Sequence, residues 1–145
     1  MAREPLGVFG HWGAFRDARP LRCYAIAEPV ERPRGAAWAP FAAISQWPGR
    51  NVRNQLHIRL RMKKKRGEPV ILTVDGRRFN LVAGGADAWA PDARTDAAVV
   101  AAIRGGSEMR VQTRGENDRR FTDAYALRGV ATAIDAAALA CADIG

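Results

Sequence analysis

Cysteine and histidine are both scarce in this 145-residue chain, with two of each: Cys23, Cys141, His11 and His57. Two thiols so far apart in sequence make no zinc site without further ligands. Neither histidine has carboxylate or thiolate company nearby, so a metal pair or acid–base pair has no local support. His57 reads as a polar strand residue, and His11, beside Trp12, as locally packed or bonded. There is no Gly-x-Ser-x-Gly, no Walker loop and no dinucleotide glycine pattern. No apolar run is long enough to cross a bilayer, and the opening MAREPLGVFGHW lacks the apolar core of a signal peptide. It is equally compatible with a mature secreted chain carrying an added initiator Met, Ala2–Leu6 forming a polar lead-in to a first strand. No repeat or low-complexity tract is present. Acidic residues are outnumbered, 15 against 23 Lys and Arg, for a net charge of +8. That balance favours attraction to anions, whether nucleic acid, an acidic membrane face or a polyanionic wall, or else a solvated surface, and it says nothing of fold.

What is present begins with an apolar fraction of 48%, which argues against disorder. The length suits one domain, 1–145, burying roughly two thirds of its unfolded surface. The firmest element is Val52–Lys65, VRNQLHIRLRMKKK. Val52, Leu56, Ile58, Leu60 and Met62 fall on even positions, and Arg53, Gln55, His57, Arg59, Arg61, Lys63 and Lys65 on odd ones. A period of two predicts a long strand with one face in the core and a basic ladder in water.

Along the rest of the chain, FGHWGAF (9–15) reads as an aromatic, glycine-rich segment that the polar RDARP closes as a turn. LRCYAIA (21–27) is apolar on both faces and predicts an interior strand. EPVERPRG (28–35) is a loop. AAWAPFAAISQW (36–47) is β-compatible, but Pro40 predicts an edge or broken strand. In VILTV-DG-RRFNLV, Asp75-Gly76 supplies the positive φ of a two-residue turn and sets Leu72 opposite Phe79 and Val70 opposite Leu81. Residues 83–91 form a loop or short strand. A helix follows with Thr95 as cap and Val99, Val100 and Ile103 as its buried stripe, stopping at Gly105-Gly106. Met109–Thr113 and Arg119–Leu127 pair around GEND. Gly129 opens a last helix, Val130–Ala142, with Val130, Ile134, Ala137, Ala138 and Cys141 on one side. About eight strands and two short helices make the fold mainly β, an antiparallel sandwich or partly open barrel.

Among candidates for chemistry, the basic stripe Arg53, Arg59, Arg61, Lys63, Lys64, Lys65 and Arg66 would pair phosphates. Its plainer reading is a solvated face whose charges discourage edge pairing, because no aromatic for stacking lies between Arg53 and Lys65. Asp123 is the one carboxylate on an apolar strand face. A buried carboxylate is a catalytic candidate, and more simply a structural partner for an arginine. Trp12, Trp38, Trp47 and Trp89 are candidates to line a groove, although aromatics of a small sandwich usually fill its core. The two cysteines form a disulfide in an oxidising compartment and remain buried thiols in the cytosol.

HWGAFRDARPLRCYAIAEP, PVILTVDGRRFNL, DAAVVAAIRGGSEMRV and FTDAYALRGVATAIDAAALAC together resemble the invasion-associated locus B family of exported α-proteobacterial proteins. The similarity runs over nearly the whole chain through loose motifs. It implies a periplasmic or envelope β-sandwich-like domain, its leader removed, with no established catalytic site, and a disulfide at Cys23. Cys141 is the expected partner, because the Leu21–Ala25 face and the Val130–Ile134 stripe should meet in one core. The expectation is therefore a non-enzymatic exported binding or structural module without cofactor or metal, acting on an envelope component or anionic surface. The alternative is a cytosolic polyanion- or nucleic-acid-binding domain using Arg53–Arg66.

Overall fold

The computed structural model describes residues 3–34, 36 and 38–142. Ala2, Gly35 and Ala37, which the expected lead-in, loop and 36–47 strand included, lie outside the described residues. Ten antiparallel strands form one open sheet: β1 (Glu4–Phe9), β2 (Trp12–Ala18), β3 (Leu21–Ala27), β4 (Phe41–Trp47), β5 (Val52–Arg59), β6 (Val70–Val74), β7 (Arg77–Gly84), β8 (Asp87–Trp89), β9 (Glu108–Arg114) and β10 (Arg120–Ala126). The strand order is β1-β2-β3-β4-β5-β8-β7-β6-β9-β10. Two helices, α1 (Ala93–Gly105) and α2 (Val130–Ala142), complete the fold.

The mainly β expectation holds, with more strands than the sequence suggested. FGHWGAF is not one strand: Phe9 pairs with Trp12 across a turn at Gly10-His11. The reason is a close backbone approach. A side chain on Gly10 (φ +59°) would meet the Arg128 carbonyl at 2.3 Å, and one on Gly129 (φ +90°) the Phe9 carbonyl at 1.9 Å. Only glycine lets the hairpin tip press against the start of α2 in this way. Pro40 precedes β4 rather than interrupting it, so β4 sits inside the sheet between β3 and β5. The Asp75-Gly76 hairpin has the expected register, Leu72↔Phe79 and Val70↔Leu81. The cap of α1 is Asp92, whose carboxylate accepts from Thr95 N at 2.7 Å; Thr95 is three residues too late.

Strand β7 is the corner. Its first half pairs with β6 and its last three residues with β8, so the sheet turns back over itself. One face of every strand then contributes to a single large core: Trp12, Ile44, Leu56, Ile58, Leu72, Met109, Val111 and Tyr125, with Val99 and Ile103 of α1 and Ile134 of α2. The sheet does not close, but three of β10's outward carbonyls are taken. Thr122 O accepts from Arg61 Nη2, Ala124 O from Val30 N and Ala126 O from Trp12 Nε1. An edge with these acceptors occupied is a poor template for a further strand. At the other end α2 lies on β3, fastened by a Cys23–Cys141 disulfide with Cα atoms 5.9 Å apart. Both cysteines are buried against Ala137.

The basic strand is shorter than its pattern. β5 ends at Arg59, beyond which the chain turns while Leu60 still enters the core. Leu56, Ile58 and Leu60 are buried as expected; Met62 is only half-buried, because the alternation no longer has a strand beneath it.

Candidate ligand groove on the outer face

The basic stripe does not survive folding as one ladder. Arg53 is exposed at the start of β5, and Lys63 and Arg66 are exposed beyond its end. Arg59 Nε donates to Asp87 Oδ1 at 2.8 Å, and its guanidinium lies 5.7 Å from the Trp38 ring. His57 Nε2 meets the same carboxylate oxygen at 2.8 Å. Lys65 Nζ donates to Asp118 at 2.6 Å and holds that carboxyl below its ordinary range. Lys64 forms a backbone bridge with Gly115, and its Nζ caps the Lys65 carbonyl. Three of the seven cations thus already have carboxylates, which lowers what the stripe offers an external polyanion.

Arg61 reaches across from the end of β5 to Asp123 on β10, Nη2 to Oδ1 at 2.5 Å and Nε to Oδ1 at 3.2 Å, while stacking 4.8 Å over Phe121. Asp123 is 2% exposed on the inner face of β10, so its carboxylate is the buried half of a structural ion pair joining the end of β5 to the edge strand. Next to it, Tyr125 Oη is buried with no partner among the described groups. Burial, reinforced by the Asp123 charge, drives its pKa far up, so it stays a neutral phenol. Among the described residues no three of His, Cys, Asp and Glu gather as a metal would need. His11 is exposed, its backbone N–H bonded to the Arg128 carbonyl.

Of the four tryptophans only Trp12 is core; Trp38 and Trp47 are half-buried and Trp89 is 37% exposed. The outer face of β1–β5 explains them. Stacking residues are absent along β5, but neighbouring strands supply them: Phe41 lies opposite Arg59, and Trp89 lies opposite His57. His57 stacks on Trp89 at 5.5 Å and meets Phe41 edge-on at 5.3 Å. No one-strand pattern contains these pairs, because they exist only once strand order and register are set. The signal within reach was the alternation in FAAISQW, which puts Phe41 and Trp47 on one face.

Beside this cluster runs a groove of about 720 Å³ over β1–β4, floored by Phe15, Ile26 and Phe41 and rimmed by Val8 and Val30. Val8, at 79%, and Val30, at 56%, are exposed apolar residues facing water. A smaller recess of about 330 Å³ under Trp38 continues it past Pro29 and Pro40. At the other end, past Arg3, lies a cleft of about 500 Å³ between Arg22 and Trp47. Concave apolar walls with a few placed polar groups are what small-ligand and peptide sites are made of.

No family model matches the chain, and no curated protein matches it in sequence. Its fold is similar to that of invasion associated protein B from Bartonella henselae, whose crystal structure superposes with a TM-score of 0.65. The superposition covers 99% of this chain and 100% of that one, at 15% sequence identity.

Proposed function

We propose, from a fold similar to that of invasion associated protein B, that this chain is a non-enzymatic, extracytoplasmic binding module of the cell envelope. The observation that carries the binding role is the open groove over β1–β4, with Val8 and Val30 exposed at its rim. The buried Cys23–Cys141 bridge supports the compartment, because such a bond persists where thiols are not kept reduced. The pairing of Arg59, Arg61 and Lys65 with carboxylates favours this groove over the basic stripe as the binding surface.

The test uses cells expressing the natural gene and purified protein. Fractionation should place the chain outside the cytosol, and alkylation under denaturing conditions should find no free thiol. The purified protein should co-sediment with isolated envelopes, and Val8→Glu, a change at an exposed site that costs little folding stability, should weaken that association. A cytosolic protein with two free thiols, or sedimentation indifferent to Val8→Glu, would overturn the proposal.

A further inference from the structure

The cleft at the far end of the outer face has a charge arrangement that the apolar groove lacks. Among the described residues, Arg3, Arg19 and Arg22 line it with Tyr24, Trp47 and a single carboxylate, Asp17. The sheet register sets this up: Asp17 lies opposite Arg22, and Phe15 opposite Tyr24, so acid, cation and rings share one face. Arg22 is sandwiched there. Its guanidinium lies 3.9 Å over the Tyr24 ring and 5.2 Å from the Trp47 ring, and its Nε donates to Ser45 Oγ at 3.1 Å. Ring faces and one hydroxyl hold the planar fork in place without neutralising it. Asp17 pairs with it only loosely, Oδ2 lying 4.0 Å from Nη1 with no hydrogen bond between them.

A second guanidinium is fixed alongside. Arg3 Nη1 donates to Tyr24 Oη at 3.1 Å, and its plane lies 4.5 Å over Phe15. Arg50 covers Trp47 at 4.6 Å. Desolvation pulls the Arg22 pKa down against the opposing pull of Tyr24 and Asp17, and the Arg3 charge adds a smaller lowering. Two oriented forks therefore flank Tyr24 with one loosely held carboxylate between them for two positive charges. An oxyanion placed between them would accept bidentate hydrogen bonds from forks that are already aimed, so little side-chain entropy is lost on binding.

We propose that the Arg3–Arg22 cleft is an oxyanion subsite, taking a carboxylate or phosphate group of the ligand whose apolar part occupies the adjoining groove. This rests on the outer face being the ligand surface, and it names the chemistry of one end. Arg3 borders both the groove and the cleft, so one ligand can span them. The carboxylate of a peptide or sugar acid and the phosphate of a lipid or nucleotide present the same edge to a guanidinium, and the probes separate them.

The experiment is a proton–nitrogen correlation spectrum of the folded, oxidised protein. It is titrated with sodium benzoate, with inorganic phosphate and with sodium chloride at matched ionic strength. The Arg22 Nε–H resonance, identified by its loss in Arg22→Lys, and the Trp47 indole N–H are the reporters. The expected result is a saturable shift with benzoate, with phosphate or with both, absent with chloride. Followed at Trp47, the dissociation constant should rise about tenfold or more in Arg22→Lys, which keeps the charge and loses the fork. Arg3→Lys should do the same, and Arg53→Lys, whose side chain lines the recess beside α2 and not the cleft, should do nothing. Saturation by benzoate alone assigns a carboxylate ligand, and by phosphate alone a phosphorylated one. Shifts no larger than chloride produces, or equal affinity in Arg22→Lys and Arg3→Lys, would overturn the subsite. Envelope sedimentation that remained sensitive to Val8→Glu would then show that the groove reading survived it.

Discussion

Removing the Cys23–Cys141 bridge should cost this protein a large part of its stability. The bond spans 118 residues of sequence. In the chain-entropy treatment, a loop of that length restricts the unfolded chain by about 16 cal/mol/K, or roughly 4.9 kcal/mol at 25 °C. Domains of this size have about 5–15 kcal/mol in total, so the loss is a third or more of it. The clean perturbation is Cys23→Ala/Cys141→Ala, which leaves no lone thiol buried in a site built for a pair. Truncating two sulfurs buried against Ala137 adds about 1 kcal/mol of lost packing, because the cavity left is small. Urea unfolding followed by tryptophan fluorescence should show the midpoint falling by several kcal/mol equivalent. The slope should also rise, since an unfolded chain freed of its cross-link exposes more surface. A double variant within about 1 kcal/mol of the oxidised protein, with an unchanged slope, would refute the reasoning: the bridge would then be an ornament on a helix already held by its apolar contacts.

The Arg61–Asp123 pair gives a second test, because Asp123 is nearly inaccessible while Arg61 keeps 19% exposure. Asp123→Ala should destabilise by about 3 kcal/mol, and a double-mutant cycle with Arg61→Ala should show coupling well above the 1 kcal/mol of a surface pair. Leu60→Ala should cost about 2–5 kcal/mol by chemical denaturation, since Leu60 is fully buried, whereas Arg53→Ala should change stability by no more than about 0.5 kcal/mol; equal losses would contradict the alternation of β5. Asp75 accepts from Ser107 N, Ser107 Oγ and Glu108 N, and these bonds, the first above all, hold its pKa below the ordinary value. The stabilisation is therefore complete above the unfolded pKa of about 3.9 and is lost as pH falls through the lower folded value, so Asp75→Asn should flatten the acid limb of a stability–pH curve below about pH 4. Single-stranded oligonucleotide binding, followed by fluorescence against salt, should have a log–log slope no steeper than about −3. That corresponds to the four cations Arg53, Lys63, Lys64 and Arg66 that lack a carboxylate partner among the described residues, and a steeper slope would return the stripe to consideration.

What the sequence determined by itself is local periodicity and turn chemistry. The alternation through Leu56, Ile58 and Leu60, the Asp75-Gly76 hairpin with its register and the Val130–Ala142 helix were all legible, because each depends on residues within a few positions of one another. Cys141 opposite Cys23 was legible too, since the two faces carrying them are both apolar and must be buried together. Local pattern misread the tip at Gly10, because what demands glycine there is Arg128, more than a hundred residues on. It carried the basic ladder past Arg59 for a similar reason: Arg61 leaves the alternation to meet Asp123, on a strand no local window includes. Of the outer face, the sequence offered only its tryptophans as candidate groove residues and not the surface they join. Phe15, Tyr24, Trp47 and Arg22 come from three strands and Arg3 from just before β1, and they become one surface only through pairing and register, which long-range burial decides.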